Sequence, residues 1–205
     1  MVQVTEVSPD TTAPHGPRKM RADAQRNHDK ILEAAEEVFA RDGVAVPIDL
    51  VAERAGVGIG TLYRHFPTKE ALFEAIVAAR LTELIETADD YISDAETDPK
   101  GAFNSFLQEF ARQATAKQHL FDALDQSGLD FKVTFADGVD ALHDRFEELR
   151  RRAAEAGAIR ADIQVEDIMT LVMGSCKFAD HSGSDDQSLE RCLGIVIAGL
   201  QAPVT

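Results

Sequence analysis

Tryptophan is absent from this chain of 205 residues, and tyrosine and cysteine occur only twice each. Cys176 and Cys192 are too few for a disulfide framework and lack the paired spacing of a zinc site, so both are expected to be small buried residues. No apolar run approaches the ~18 residues of a membrane span, and the first residues lack the apolar region of a signal peptide. The sequence therefore predicts a cytoplasmic protein with no membrane partner. Enzyme signatures are missing as well. There is no nucleophile elbow, no phosphate-binding glycine loop after a strand, no metal-ligand cluster and no recognisable pair of carboxylates. His119 and His143 are too widely separated to suggest a metal pair. Neither an enzyme nor a metal or cofactor is expected. Positive charge is also scarce, with 21 Lys and Arg against 36 Asp and Glu and a net charge of −15.

That acidity would argue against a nucleic-acid partner if it were spread evenly, and it is not. From Arg18 to Arg80 ten basic residues balance ten acidic ones, whereas from Leu81 onward eleven face twenty-four. Arg18, Lys19, Arg21 and Arg26 precede the first predicted helix, and Arg64 and Lys69 flank a short later one. A local basic face suffices for phosphate contact, and the acidic remainder suppresses non-specific binding. The plain alternative is that such charges only solvate a surface.

What the chain does contain is a stretch that organises the rest, PIDLVAERAGVGIGTLYRHFPTKEAL from Pro47 to Leu72. Ile48, Val51, Ala52 and Ala55 recur at helical spacing until Gly56, Gly56-Val57-Gly58 makes a turn, and Ile59 to His65 forms a short helix that Pro67 stops. Thr68 then caps a long helix carrying Leu72, Phe73, Ile76, Val77, Leu81, Leu84 and Ile85. Two short helices joined by a glycine turn are a helix-turn-helix candidate, the second entering a DNA major groove.

The run AERAGVGIGTLYRHFPTKEAL, together with ILEAAEEVFARDG from Ile31, resembles the signature of the TetR family of bacterial transcriptional regulators. The likeness runs without a gap from about Ile31 to about Leu81. It implies that Tyr63, His65 and Lys69 contact the DNA backbone. Two departures stand out. Val46-Pro47 replaces the serine or threonine that often precedes the second helix, and Gly58, Ile59 and Gly60 offer no side-chain hydrogen bond to a base edge. Ile59 can meet a thymine methyl, the glycines allow close backbone approach, and Thr61 and Arg64 remain for polar contacts. The expected DNA-binding set is therefore Gly58, Ile59, Gly60, Thr61, Tyr63, Arg64, His65 and Lys69.

The remaining segments also read as helices. Residues 1–20, rich in proline and polar side chains, are expected to be a disordered arm with a basic end, followed by a helix from about Asp23 to Arg41. Asp98-Pro99 opens a helix with Phe103, Phe106 and Phe110 on one side, a short segment holds Leu120, Phe121 and Leu124, and a further helix runs from about Phe131 to Ala156 with Arg150-Arg151-Arg152 at its end. A helix from Ile163 to about Ala179 follows, then a capping box at Ser184 to Gln187 and a last helix to about Leu200.

Phenylalanines at helical spacing usually fill a core. As a group they also suit an apolar cavity, giving Phe103, Phe106, Phe110, Phe121, Phe135, Leu142, Met169 and Met173 as candidate ligand-binding residues, with Gln113, His119 and His143 as possible polar hooks. The last helix is apolar nearly all round, and its small residues Gly194, Ala198 and Gly199 allow another helix to approach. Val172, Cys176, Leu193, Val196, Ile197 and Leu200 are accordingly expected at a homodimer interface, two helices from each chain forming a four-helix contact.

The expected fold is all-α with about nine helices. A helix-turn-helix DNA-binding domain at residues 21–67 follows the arm, and residues 68–205 form a helical ligand-binding and dimerisation domain. The resemblance implies a ligand-responsive transcriptional regulator, a dimeric repressor released from a palindromic double-stranded DNA operator by a small apolar or amphipathic effector. The alternative is a helical small-molecule-binding or scaffold protein that reads no DNA sequence.

Overall fold

The computed structural model describes residues 17–43, 45–116, 131–181 and 186–202. Leu120, Phe121, Leu124 and His119, and the start of the expected capping box at Ser184, lie outside them. Among the described residues there are nine helices: α1 (Pro17–Asp42), α2 (Ile48–Ala55), α3 (Ile59–His65), α4 (Lys69–Asp94), α5 (Pro99–Ala116), α6 (Phe131–Thr134), α7 (Ala136–Glu155), α8 (Val165–His181) and α9 (Asp186–Leu200). The only extended pairing described is an isolated antiparallel bridge between Ile159 and Gln201.

Helix boundaries follow from local chemistry. Gly56 takes a left-handed conformation (φ 66°), so that its N–H donates to the Glu53 carbonyl at 3.1 Å and that of Val57 to Ala52 at 3.0 Å, closing α2. Gly157 (φ 69°) closes α7 in the same way, through Gly157 to Ala154 and Ala158 to Ala153, both at 2.9 Å. The Thr68 hydroxyl accepts from the Ala71 N–H at 3.0 Å and starts α4. The Asp98 carboxylate accepts from the Gly101 N–H at 2.9 Å and starts α5; a Cβ on Gly101 would run into that carboxylate.

Two boundaries differ from expectation. α1 begins at Pro17 rather than near Asp23, so Arg18-Lys19-Met20-Arg21 is helical instead of the end of an arm. These residues have no apolar period, but arginine, lysine, methionine and alanine are strong helix formers and Pro17 suits a first turn. The single helix expected from Phe131 to Ala156 is broken at Phe135 (φ −117°, ψ 26°), whose half-buried side chain packs against the C-terminal core.

There are two apolar cores. The first joins α1, α2, α3 and the start of α4 through Ile31, Phe39, Val51, Leu62, Leu72 and Ile76, with the Phe39 and Phe73 rings stacked at 4.7 Å. The second joins α4, α5, α7, α8 and α9. α4 belongs to both, giving Leu72, Phe73 and Ile76 to one and Val77, Leu81 and Ala88 to the other. The expected division after residue 67 follows the end of α3, whereas the cores divide further on, inside α4.

In the second core Phe106 and Phe146 meet edge to face at 4.9 Å, Phe110 and Phe146 at 5.4 Å, and Tyr91 lies 5.9 Å from Phe106. Each fully buried ring or leucine there is worth about 1.5–3 kcal/mol. Phe103, Phe106, Phe110 and Leu142, expected as ligand contacts, are all buried and pack in this core. The residues expected at a dimer interface also pack within one protomer. Val172, Cys176, Leu193 and Leu200 are buried within one protomer, and Val196 and Ile197 pack half-buried on the same core. Cys176 lies against α5, its sulfur 3.6 Å from the Ala111 carbonyl. A helix apolar on all sides does not reveal which stripe its own chain covers. The outward stripe carries Leu171 (51% exposed) and Ile195 (73% exposed), with Gly194, Ala198 and Gly199 also exposed.

Candidate nucleic-acid interface

α3 is anchored by Leu62 and Phe66, both buried in the first core, which turns the other side of this seven-residue helix outward. Ile59 (41% exposed) and Tyr63 (46% exposed) stand four residues apart on that outer face. Arg64 is exposed, and Thr61 and His65 are half-buried. Among the described residues Arg64 has no ion-pair partner, whereas neighbouring arginines are neutralised within the protein: Arg54 pairs with Glu37, Arg41 with Asp42, and Arg80 with Glu36 and Glu83. Among these described arginines, the guanidinium left over is the one on α3. Gly58 and Gly60 face open space, with nothing within 4 Å of a Cβ built on either.

Lys69 sits differently from an exposed phosphate-binding lysine. Its Nζ donates to the Val46 carbonyl at 2.7 Å and lies 5.8 Å from the Phe39 ring centroid. Burial pushes its pKa below the ordinary lysine value, with Glu70 opposing that shift. The ammonium thus ties the connector before α2 to the start of α4, with two further donors available.

The structure adds a residue that spacing did not reveal. His28 on α1 places its ring 5.1 Å from Phe66 and 6.1 Å from His65, so it braces the end of α3. Only its position across the fold identifies it. Arg26 is paired with Asp23 on the surface of α1.

A cleft of about 360 Å³ opens between α4 and the break joining α6 to α7, lined by Leu81, Thr82, Ile85, Val133, Phe135 and Asp137 among others. Of the expected ligand contacts Phe135 lines it; Met169 and Met173 are half-buried against the core beyond. His143 pairs with Glu166 at 3.0 Å, joining α7 to α8, and Gln113 donates to Glu109 at 2.7 Å. These two of the three possible hooks are thus engaged within the protein. Among the described residues no group of His, Cys, Asp or Glu could hold a metal ion, and no helix is long and apolar enough to cross a membrane. Both cysteines are free, Cys176 buried and Cys192 exposed rather than buried as expected, and burial pushes the Cys176 thiol pKa up.

Comparison with known proteins covers both halves. Residues 31–76 match the family model for bacterial regulatory proteins of the tetR family, and residues 98–202 match that for the C-terminal domain of SbtR-like transcriptional regulators. A TetR transcription regulatory protein from Mycobacterium vanbaalenii superposes with a TM-score of 0.71 at 36% identity, over 89% of this chain and 99% of that one. A TetR transcriptional regulator from Streptomyces coelicolor gives 0.69 at 33% identity, over 86% and 99%. A curated helix-turn-helix transcriptional regulator of Staphylococcus aureus is 38% identical over 82 residues, 38% of this chain, so the chain spans less than half (44%) of that relative's length. With its helix-turn-helix, its second helical core and these relatives, the chain belongs to the TetR family of bacterial transcriptional regulators.

Proposed function

We propose that this protein is a ligand-responsive transcriptional regulator that binds a palindromic DNA operator as a homodimer and is released from it by a small apolar or amphipathic molecule. The observation that carries the reading is the outer face of α3, where Ile59, Tyr63 and Arg64 stand exposed on a buried footing of Leu62 and Phe66. Tyr63, His65 and Lys69 are assigned to the DNA backbone, and Gly58, Ile59, Gly60, Thr61 and Arg64 to the base edges. One helix of this length makes too few contacts for specificity, and a two-fold axis doubles them. The exposed stripe of Leu171, Ile195, Ala198 and Gly199 supports a contact between copies.

The effector is placed in the cleft beside α4, its apolar body on Leu81, Ile85 and Phe135 and a donor group toward Asp137 or Thr82. A volume of about 360 Å³ lies in the lower range for such sites. Because α4 carries residues of both cores, a molecule that binds one setting of α4 better shifts the protein toward that setting and moves α3 with it. The test is binding of the full chain, at physiological salt, to DNA adjoining its own coding region. Retention there, but not on a scrambled fragment, supports the reading; equal retention on both supports the scaffold alternative.

A further inference from the structure

We infer that α3 selects its half-site by apolar contact with a thymine methyl group, Ile59 being the reading side chain and Gly58 and Gly60 the clearance that lets it reach. The inference rests on the DNA-binding function proposed above and names the DNA chemistry recognised.

Its starting point is that the protein itself gives no reason for glycine at either position. Among the described residues positive φ occurs at Gly43, Gly56 and Gly157, and Gly58 has an ordinary φ of −67°. A Cβ at 58 or 60 meets nothing within 4 Å. Yet Gly60 lies inside α3, where glycine weakens a helix relative to alanine. Neither backbone conformation nor packing accounts for the missing side chains, and a surface that must approach closely from outside does.

Between the two glycines stands Ile59, a branched apolar side chain held 41% exposed, with Tyr63 one turn further along the same face. No side chain from 58 to 60 can donate to guanine O6 or N7 or pair with adenine N6 and N7. The one apolar group that a base pair presents in the major groove is the thymine C5 methyl. Tyr63 holds the helix on the backbone, Thr61 and Arg64 supply the polar contacts, and Ile59 discriminates at the thymine.

The experiment uses the full chain and a double-stranded DNA library of random sequence, from which the bound fraction is recovered and sequenced. The enriched half-site is then synthesised with deoxyuridine in place of each thymine, which removes only the methyl group. One thymine position is expected to lose affinity about fourfold per half-site, the worth of one buried methyl. Ile59→Ala is expected to weaken the thymine duplex and to abolish its advantage over the uracil duplex. Gly60→Ala is expected to raise the thermal midpoint by about 2–4 °C while weakening the enriched sequence about tenfold. That opposition separates the role from a structural one. Equal binding of thymine and uracil duplexes by the unaltered chain overturns the inference while leaving the regulator reading intact, and so does unchanged affinity in Gly60→Ala. Failure to enrich any sequence overturns both.

Discussion

At Thr68 and Lys69 two adjacent side chains fix the passage from α3 into α4. The Thr68 hydroxyl satisfies the Ala71 N–H, and replacement by alanine leaves that donor without its cap. Thr68→Ala is expected to cost about 1 kcal/mol, measured as a lower denaturant midpoint with an unchanged slope. Lys69 gives one donor to the Val46 carbonyl and keeps two for an external acceptor. Lys69→Ala is therefore expected to lower stability by about 1 kcal/mol and to weaken all DNA sequences alike. In binding titrations, a loss confined to one sequence contradicts the backbone assignment. These residues were legible from sequence, because Pro67 stops α3, Thr68 is a capping residue and the family run includes Lys69. The tie between Lys69 and Val46 was not, since it joins residues whose proximity depends on how the first core packs.

Among the elements, α4 and α7 are coupled by charge. Arg145 meets Asp89 at 3.2 Å, and the Arg152 guanidinium donates to the Ile92 carbonyl at 2.8 Å while also pairing with Glu148. The Arg150-Arg151-Arg152 run at the end of α7 is thus in part a clasp on the end of α4. Arg152 and then Arg151 hold the Glu148 carboxyl below its ordinary pKa, and Arg150 does the same for Glu147. A carboxylate with a lowered folded-state pKa contributes stability above the unfolded value, and that contribution disappears as pH falls through the folded value. Acid unfolding should therefore draw on these groups below about pH 4.5, the ordinary glutamate value. Glu148→Gln is expected to flatten that limb of the stability profile; an identical acid limb would show that the pair contributes nothing to folding. Element existence was readable where punctuation is strong, as at Gly56, Asp98 and Gly157. It failed at the start of α1, where helix propensity acts without an apolar period, and at Phe135, where tertiary packing breaks a continuous helical pattern.

For the whole molecule, the residues that the sequence suggested for a dimer contact lie on the inner stripe of α8 and α9, and the stripe left exposed is the one proposed for that contact. Ile195 is 73% exposed on the protomer, so a charge there leaves the folded chain undisturbed. Ile195→Glu is expected to give monomers by light scattering with unchanged helicity, and a retained dimer mass would remove this face from the contact. The cleft was equally beyond sequence reading, because its lining comes from α4 and from the α6–α7 break, far apart in the chain. The acidic C-terminal part and the charge-balanced N-terminal part are consistent with one end of the molecule meeting DNA. The most direct test is a hydroxyl-radical footprint of the full chain on DNA adjoining its own coding region, compared with Tyr63→Ala. Two protected patches related by a dyad, about 34 Å or one helical turn apart and lost in the variant, are the result expected. Protection without symmetry, or protection that survives loss of Tyr63 unchanged, would contradict a paired α3 grip.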